Sequence, residues 1–591
     1  MIMILMEWAY MATLSFLMGF ACLAPFRKKG GCQIHSAVTY MMAGLLVLNV
    51  YAEYFSLFAG VGFWASLIAV FAAVIGGMLL RRDLADFFKI SKTQTCQKKT
   101  ERSDEGLENS KSLWRKKNKA VWLLYAGLTL LFAYGSSRGY MHYDTGLYHA
   151  QAIRWIEEYG VVPGLANLHS RFGYNSASFA LSAFFSETWL IGRPMHCVAG
   201  FFALLCACKC AAGLMAFWKR KKVRISDFLS IGGLFYLIAV FREMVSPASD
   251  YFAMLVLFWV IMTWVELWEQ ERDCPIGEKQ TVPYALLSLY LVYAATVKLS
   301  TAVILLLVLY PAVLLLRQKK WLQIAGYIAL GLLIAFPYLA RNVLISGWLI
   351  YPFAAIDLFS VDWKIPASYL QNDSDQIKVW GRCLYDVTKI NDPVSAWFPV
   401  WWGEKDRYEM MLLIANMVAG ISAVLSVVWK RIRKEKLCWD RVVVYAAVLG
   451  GIAGWFFLAP FIRYGLAFLL IFPLMAFGEW LRPMQMGPVR IASGFLCAAI
   501  FFSLSMYWDY YVLFDLVWGK QHLTDPAWVV QQDYDSVEVE SFEMEGGLIV
   551  YYPAGGQENI SYDAFPAAAY RMMAERTKLR GSDIRDGFMP K

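Results

Sequence analysis

The chain has 591 residues, 59% of them hydrophobic and 17% charged, with 24 Trp, 33 Tyr and a net charge of +9. Soluble proteins carry about 25% charged residues, and a soluble chain of this length divides into several cores joined by polar linkers. Here apolar runs near the roughly 20 residues of a spanning helix recur instead, which excludes a soluble multidomain protein, and the positive excess sits in short Lys/Arg clusters between those runs, which gives no ground for a nucleic-acid partner.

The first run, 1–24, lacks a basic start and a small-residue cleavage site, so it reads as a retained helix and not a signal peptide. Runs near 36–58 and 61–80 follow. A basic linker, 81–119, then carries "SKTQTCQKKTERSDEGLENSKS", the composition of a solvated, flexible loop. Further runs lie near 120–137, 189–217, 228–241, 251–270, 283–297, 300–316, 322–341, 408–429, 440–459, 465–482 and 489–507, with "LRPMQMGPVR" between the last two. The uncharged stretch 282–316 is broken only by Lys298. At about 1.5 Å per residue it would reach roughly 53 Å as one helix, against a hydrocarbon core of about 30 Å, so the chain should turn near Lys298.

Basic clusters at 27–29, 81–119, 219–224, 317–320 and 430–436 belong in the cytoplasm by the positive-inside rule. Each gap between them then holds an even number of crossings. The expected fold is an all-α polytopic membrane protein of about 14 transmembrane helices in the bacterial cytoplasmic membrane, with both termini and Asp144 outside and Asp104 inside. It divides into an N-terminal three-helix segment (1–80), the cytoplasmic linker (81–119), a transmembrane core (120–508) with outer loops at about 136–187 and 346–407, and a C-terminal extracytoplasmic region (509–591). That last region is polar, and "GGLIVYYPAGG" within it reads as a strand bounded by glycines.

Of the 11 cysteines only Cys383 clearly falls in an outer loop, so no disulfide-built ectodomain is expected. No pair has zinc spacing, and Cys206, Cys208 and Cys210 in "CACKC" read as small buried hydrophobes. No P-loop, nucleophile elbow or dinucleotide fingerprint occurs, which argues against an ATP-driven transporter. The sequence supports no cofactor and no metal.

The densest gathering of chemistry is "HYDTGLYHAQAIRWIEEYGVVPGLANLHSRFGYN", 142–175, which holds three of the six histidines. After Asp144, the residues Tyr148, Ala152, Trp155, Ile156 and Tyr159 form one helical stripe, Gly160 can end the helix and Pro163 follows. The stretch reads as a helix lying flat at the outer interface, with His149, Arg154 and Glu157 turned toward head groups or water. Asp144 has two readings, an N-cap or a catalytic carboxylate. Arg242, Glu243 and Asp250 in "REMVSPASD", Lys298 in "VKLS", Arg341 in "ARNVLISGWLIYP" and Arg463 in "APFIRYG" also stand where helices reach the outer face. Snorkelling explains any one of them; together, four cations facing a carboxylate suggest a site for an anion attached to a lipid.

This arrangement resembles the GT-C glycosyltransferases, and more closely a group of bacterial membrane proteins associated with surface-polysaccharide synthesis. The likeness rests on "YDTGLYHAQAIRWIEEYGVVPGLANLHSRFGYNS", "SPASD", "TVKLS" and "RNVLISGWLIYP", over residues 143–352, and extends more weakly to about 465. It implies transfer of a sugar from a polyprenyl-phosphate-linked donor to a glycan or lipid acceptor, with inversion. Asp144 would be the base. Arg463, Lys298 and Arg341 would hold the lipid phosphate, with Asp250 beside them. His149, His169 and Arg171 would shape the sugar or acceptor pocket, or serve as ordinary interfacial side chains. Thr145 stands where many GT-C members carry a second acid, and "PFIRYG" lacks an acid before its proline, so the likeness supports neither a metal nor an acid-assisted mechanism. An O-antigen or capsule polymerase, with "FPVWWGEKDR" in its central outer loop, and a non-enzymatic flippase or transporter of lipid-linked glycans are the competing readings.

Overall fold

The computed structural model describes residues 1–29, 36–97, 107–220, 223–271, 280–434, 439–481 and 528–591. The run near 489–507, Asp104 and the start of the C-terminal region lie outside the described residues. Among these residues, ten helices are long and apolar enough to cross a membrane, or up to 11 if the bent pair at 63–89 is one span. Ile225–Ala239 and Thr281–Val297 are shorter apolar helices. The chain is a predominantly helical, multi-pass membrane protein.

Ser249–Gln270 is the central helix. Most of its side chains are buried, as an α-helix apolar on every side requires. Ile2–Cys22 packs closely on Ala37–Ser56. A Cβ on Gly19 would collide with the backbone of Tyr40, and one on Gly44 with that of Ser15, so two absent side chains let the helices approach as small residues do in membranes. The expected turn at Lys298 is present: this residue has extended backbone between Thr281–Val297 and a 3₁₀ segment, Leu299–Val308, that continues into Leu309–Arg317. The Thr301 hydroxyl lies 2.8 Å from the carbonyls of both Ala294 and Lys298 and adds to the backbone bonds they accept across the break.

The linker departs from its expected loop. Arg81–Gln97 is a helix bent 72° from Phe63–Leu79 across the break at Leu80, and Leu107–Ser137 starts inside the basic stretch. Phe87 explains the first part, since its ring packs edge-on against Tyr40 at 5.5 Å and Phe20 at 6.0 Å, anchoring an otherwise polar helix.

The C-terminal region folds back over one end of the bundle. Val539–Glu543 pairs antiparallel with Ile549–Pro553, inside the stretch that reads as a strand, and Thr577–Leu579 pairs with Phe588–Pro590. Gln531, 3% exposed, directs its amide nitrogen to the carbonyls of Ser136, His196 and Val245 and accepts from the His196 N–H at 2.7 Å. One buried glutamine thus ties three helix ends together. The N-terminus joins the same end, where the Met3 N–H donates to the Val529 carbonyl at 2.9 Å.

Candidate functional site

Four segments meet at that end. The loop after Leu107–Ser137 brings His142 and Asp144, Ser249–Gln270 opens with Asp250, the break between helices carries Lys298, and Ile462–Leu481 presents Arg463 at its second residue. Arg463 Nη2 donates to Asp144 Oδ2 at 2.8 Å, while Nε lies 3.5 Å from Asp250 Oδ2. Lys298 pairs with the other oxygen of Asp250 and sits 3.6 Å from the centroid of the Tyr464 ring. One arginine therefore bridges two carboxylates, a lysine holds the second, and two negative charges face two positive ones.

The electrostatics follow from partial burial. Burial alone would raise the Asp144 carboxyl, but the Arg463 guanidinium outweighs it and holds the group below the ordinary carboxylate range. Asp144 is ionised at neutral pH. His142 is pushed down, first by burial and then by Arg463. Its ring meets the Asp144 N–H at Nδ1, 3.1 Å away, and the Arg463 guanidinium at Nε2. A neutral imidazole accepts at only one nitrogen, so these donors compete for it. A unit charge pair at about 4 Å is worth on the order of 4 kcal/mol at an effective dielectric of about 20, before the desolvation that offsets much of it.

Asp144 is not an N-cap. Its backbone is helical and its side chain caps nothing, because the carboxylate turns to Arg463, 319 residues away in sequence. The following segment opens as a π-turn, Thr145–His149, and continues as Ala150–Glu158; Gly160, at φ +77°, ends it as expected. The segment does not lie open to head groups. Trp155 is fully buried against Phe565 (4.6 Å) and Phe588 (5.9 Å) of the C-terminal region. Glu157 accepts from Tyr562 at 2.7 Å and meets His196 at 2.9 Å, and Arg154 donates to the carbonyls of Tyr562 and Asp563. His149 is 3% exposed, bonded to Thr145 at 3.2 Å, and burial depresses its pKa to about 3.

The other expected site residues divide. His169 is buried: Nδ1 accepts the Arg171 N–H and Nε2 faces the Leu147 carbonyl, both at 3.2 Å, so Nε2 carries the proton. Burial, then Arg171, depresses its pKa to about 3, and it joins the two loop segments as a neutral ring. Arg171 pairs with Asp373 at 3.1 Å and borders a cavity described below. Arg341 does not join the Asp144 cluster by any hydrogen bond or ion pair among the described residues. Its Nε donates to Asn175 at 2.9 Å and its Nη1 to Ser56, within a network where Asn175 donates to Asn342, Asn49 to Glu53 and Tyr293 to Asn49.

Sequence reading missed His142 and Tyr464 as members of the cluster. His142 had one available signal, its position two residues before Asp144; Tyr464 had only its adjacency to Arg463. Among the described residues, no group of three or more His, Cys, Asp or Glu side chains is placed to hold a metal ion.

No curated protein and no solved structure matches the chain. The family described as "Domain of unknown function (DUF8201)" matches residues 1–103 and 98–470, most of the sequence and all four segments that build the cluster. The chain therefore belongs to the DUF8201 family.

Proposed function

We propose that the protein is a membrane glycosyltransferase that moves a sugar from a polyprenyl-phosphate-linked donor to a surface glycan or lipid-linked acceptor at the outer face of the cytoplasmic membrane. The observation that carries this reading is the convergence of Asp144, Asp250, Arg463 and Lys298 on one end of a multi-helix bundle, partly open to solvent. It adopts the topology of about 14 spans with this end outside. The acceptor hydroxyl attacks the anomeric carbon, its proton passes to the Asp144 carboxylate, and the bond from that carbon to the phosphate oxygen breaks. The lipid phosphate leaves as an anion and needs positive charge, which Arg463 and Lys298 supply. Arg463 has a role at both stages: it turns toward the entering phosphate, and Asp144, relieved of it, becomes the better base.

The charge balance of the cluster favours a second reading, in which two ion pairs only fasten helix ends together. Strains with and without the gene separate the two. Transfer predicts that deletion changes the surface glycan and accumulates lipid-linked sugar, and that Arg463→Gln does the same at normal protein level. Unchanged glycans and lipid-linked pools after deletion would end the transfer reading. Cysteine labelling tests the orientation, which is contradicted if reagent from outside modifies position 104 and spares 144.

A further inference from the structure

A cavity of about 210 Å³ opens between three segments distant in sequence: the stretch around His169 and Arg171, the helix Ala367–Gly381, and the C-terminal region near Tyr570 and Arg576. The helix contributes Tyr369, Asn372, Asp373, Gln376 and Trp380 to its lining. These positions recur at three- and four-residue spacing, so one face of the helix forms one side of the cavity. That face combines flat aromatic rings with planar amides, and the opposite wall adds two guanidinium groups.

The state of each group narrows the occupant. The Arg171 charge is met by Asp373, and its guanidinium also lies 5.6 Å from the Trp380 ring. Arg576 stacks 3.7 Å from the Tyr369 ring and pairs with no carboxylate among the described residues. The amides of Asn372, which is exposed, and Gln376, which is half-buried, make no hydrogen bond to another described side chain or backbone group, so both can exchange water for a ligand. An apolar tail would displace water from these amides without replacing its hydrogen bonds, and the Asp373 and Glu558 carboxylates on the wall disfavour a polyphosphate. A pyranose ring offers what the wall lacks: C–H faces for the aromatic rings and hydroxyls that both donate and accept.

We propose that this cavity binds one sugar ring of a glycan chain, with the Arg576 guanidinium receiving an acidic substituent. Its wall adjoins the charged cluster, since Glu558 accepts from the hydroxyls of Tyr570 and Tyr143, the latter at 2.9 Å, and Tyr143 directly precedes Asp144. The role as acceptor subsite rests on the transfer reading; the binding itself does not.

Isothermal titration of the purified full chain in nanodiscs tests it, with trigalacturonate and the neutral galactose trisaccharide as probes. The expected result is saturable binding of trigalacturonate, at least tenfold tighter than the neutral probe. Trp380→Ala should weaken it at least tenfold, and Arg576→Gln should remove the preference for the acidic probe. Asp144→Asn should bind as tightly as the wild type, so failure of the transfer reading would show in activity alone. No saturable binding of either probe, or equal affinities in wild type and Trp380→Ala with an unchanged thermal midpoint, would overturn the proposal.

Discussion

Both the Asp144–Arg463 cluster and the network around Arg341 set an arginine among acceptors at helix ends, yet the Arg463 side chain is 33% exposed and Arg341 is 1% exposed. Arg341 is gripped by neutral oxygens from two other segments, Ser56 and Asn175, with Glu53 acting on it electrostatically. Arg463 instead spreads over two carboxylates and a histidine, and its Nε, 3.5 Å from Asp250, makes no hydrogen bond. A sealed cation whose contacts are all protein stabilises one arrangement of helices. A partly exposed one can exchange a protein partner for a ligand. The residue type is the same; what surrounds it separates structure from chemistry.

The contrast breaks most readily at Arg341. Arg341→Met takes the donor from the buried Asn175 and Ser56 oxygens and the positive charge from beside Glu53, and losing one side of a buried charged network costs about 3–5 kcal/mol. Unfolding of the purified protein in detergent should show that loss, and a stability within about 1 kcal/mol of wild type would put Arg341 among the replaceable surface charges. Trp155→Ala should cost about 3 kcal/mol, the usual scale for emptying a large aromatic site. Limited proteolysis should then release the C-terminal region first, because Phe565 and Phe588 lose their common partner.

Acid gives an effect with a definite sign. His149 and His169 have folded pKa values near 3, below the ordinary value of about 6.5. Below about pH 6.5 the unfolded chain therefore binds protons that the folded chain refuses, and stability falls by up to about 1.4 kcal/mol per pH unit for each ring. It is fully present above that pH and declines toward pH 3. Thermal midpoints between pH 7 and pH 5 should fall, and His169→Gln, whose amide can serve both of the ring's partners, should lessen the slope by one proton. An identical slope in that variant would remove His169 from the effect. The smallest stability change is expected at the cluster itself: Arg463→Gln should cost about 1 kcal/mol, as a partly exposed pair does, so its main consequence would lie in activity.

Much of this architecture was legible because membrane spans are local: apolar length placed the helices, and the length limit placed the break at Lys298. Topology brought Asp144, Asp250, Lys298 and Arg463 to one end before any contact was known. Two features were not legible. The N-cap reading of Asp144 applied a sound local rule that a partner 319 residues away overrides. The cover over Ala150–Glu158 depends on pairings such as Gln151 with Ala564, 413 residues apart, so an amphipathic stripe made to meet protein was indistinguishable from one made to meet lipid. Arg341 shows the same limit, since an arginine near a helix end reads alike whether its surroundings are open or closed.

The most direct test of the central claim, that the open cluster performs chemistry, is the rate of sugar transfer by Asp144→Asn in a purified assay with a polyprenyl-phosphate-linked donor. Asparagine keeps the shape and still accepts a hydrogen bond from Arg463, but it cannot take a hydroxyl proton with comparable ease. The account predicts a folded, inserted protein that transfers about 10²-fold more slowly or worse, the usual scale for removing a positioned base. Full transfer by that variant would contradict it and leave Asp144 as one member of an ion-paired fastening.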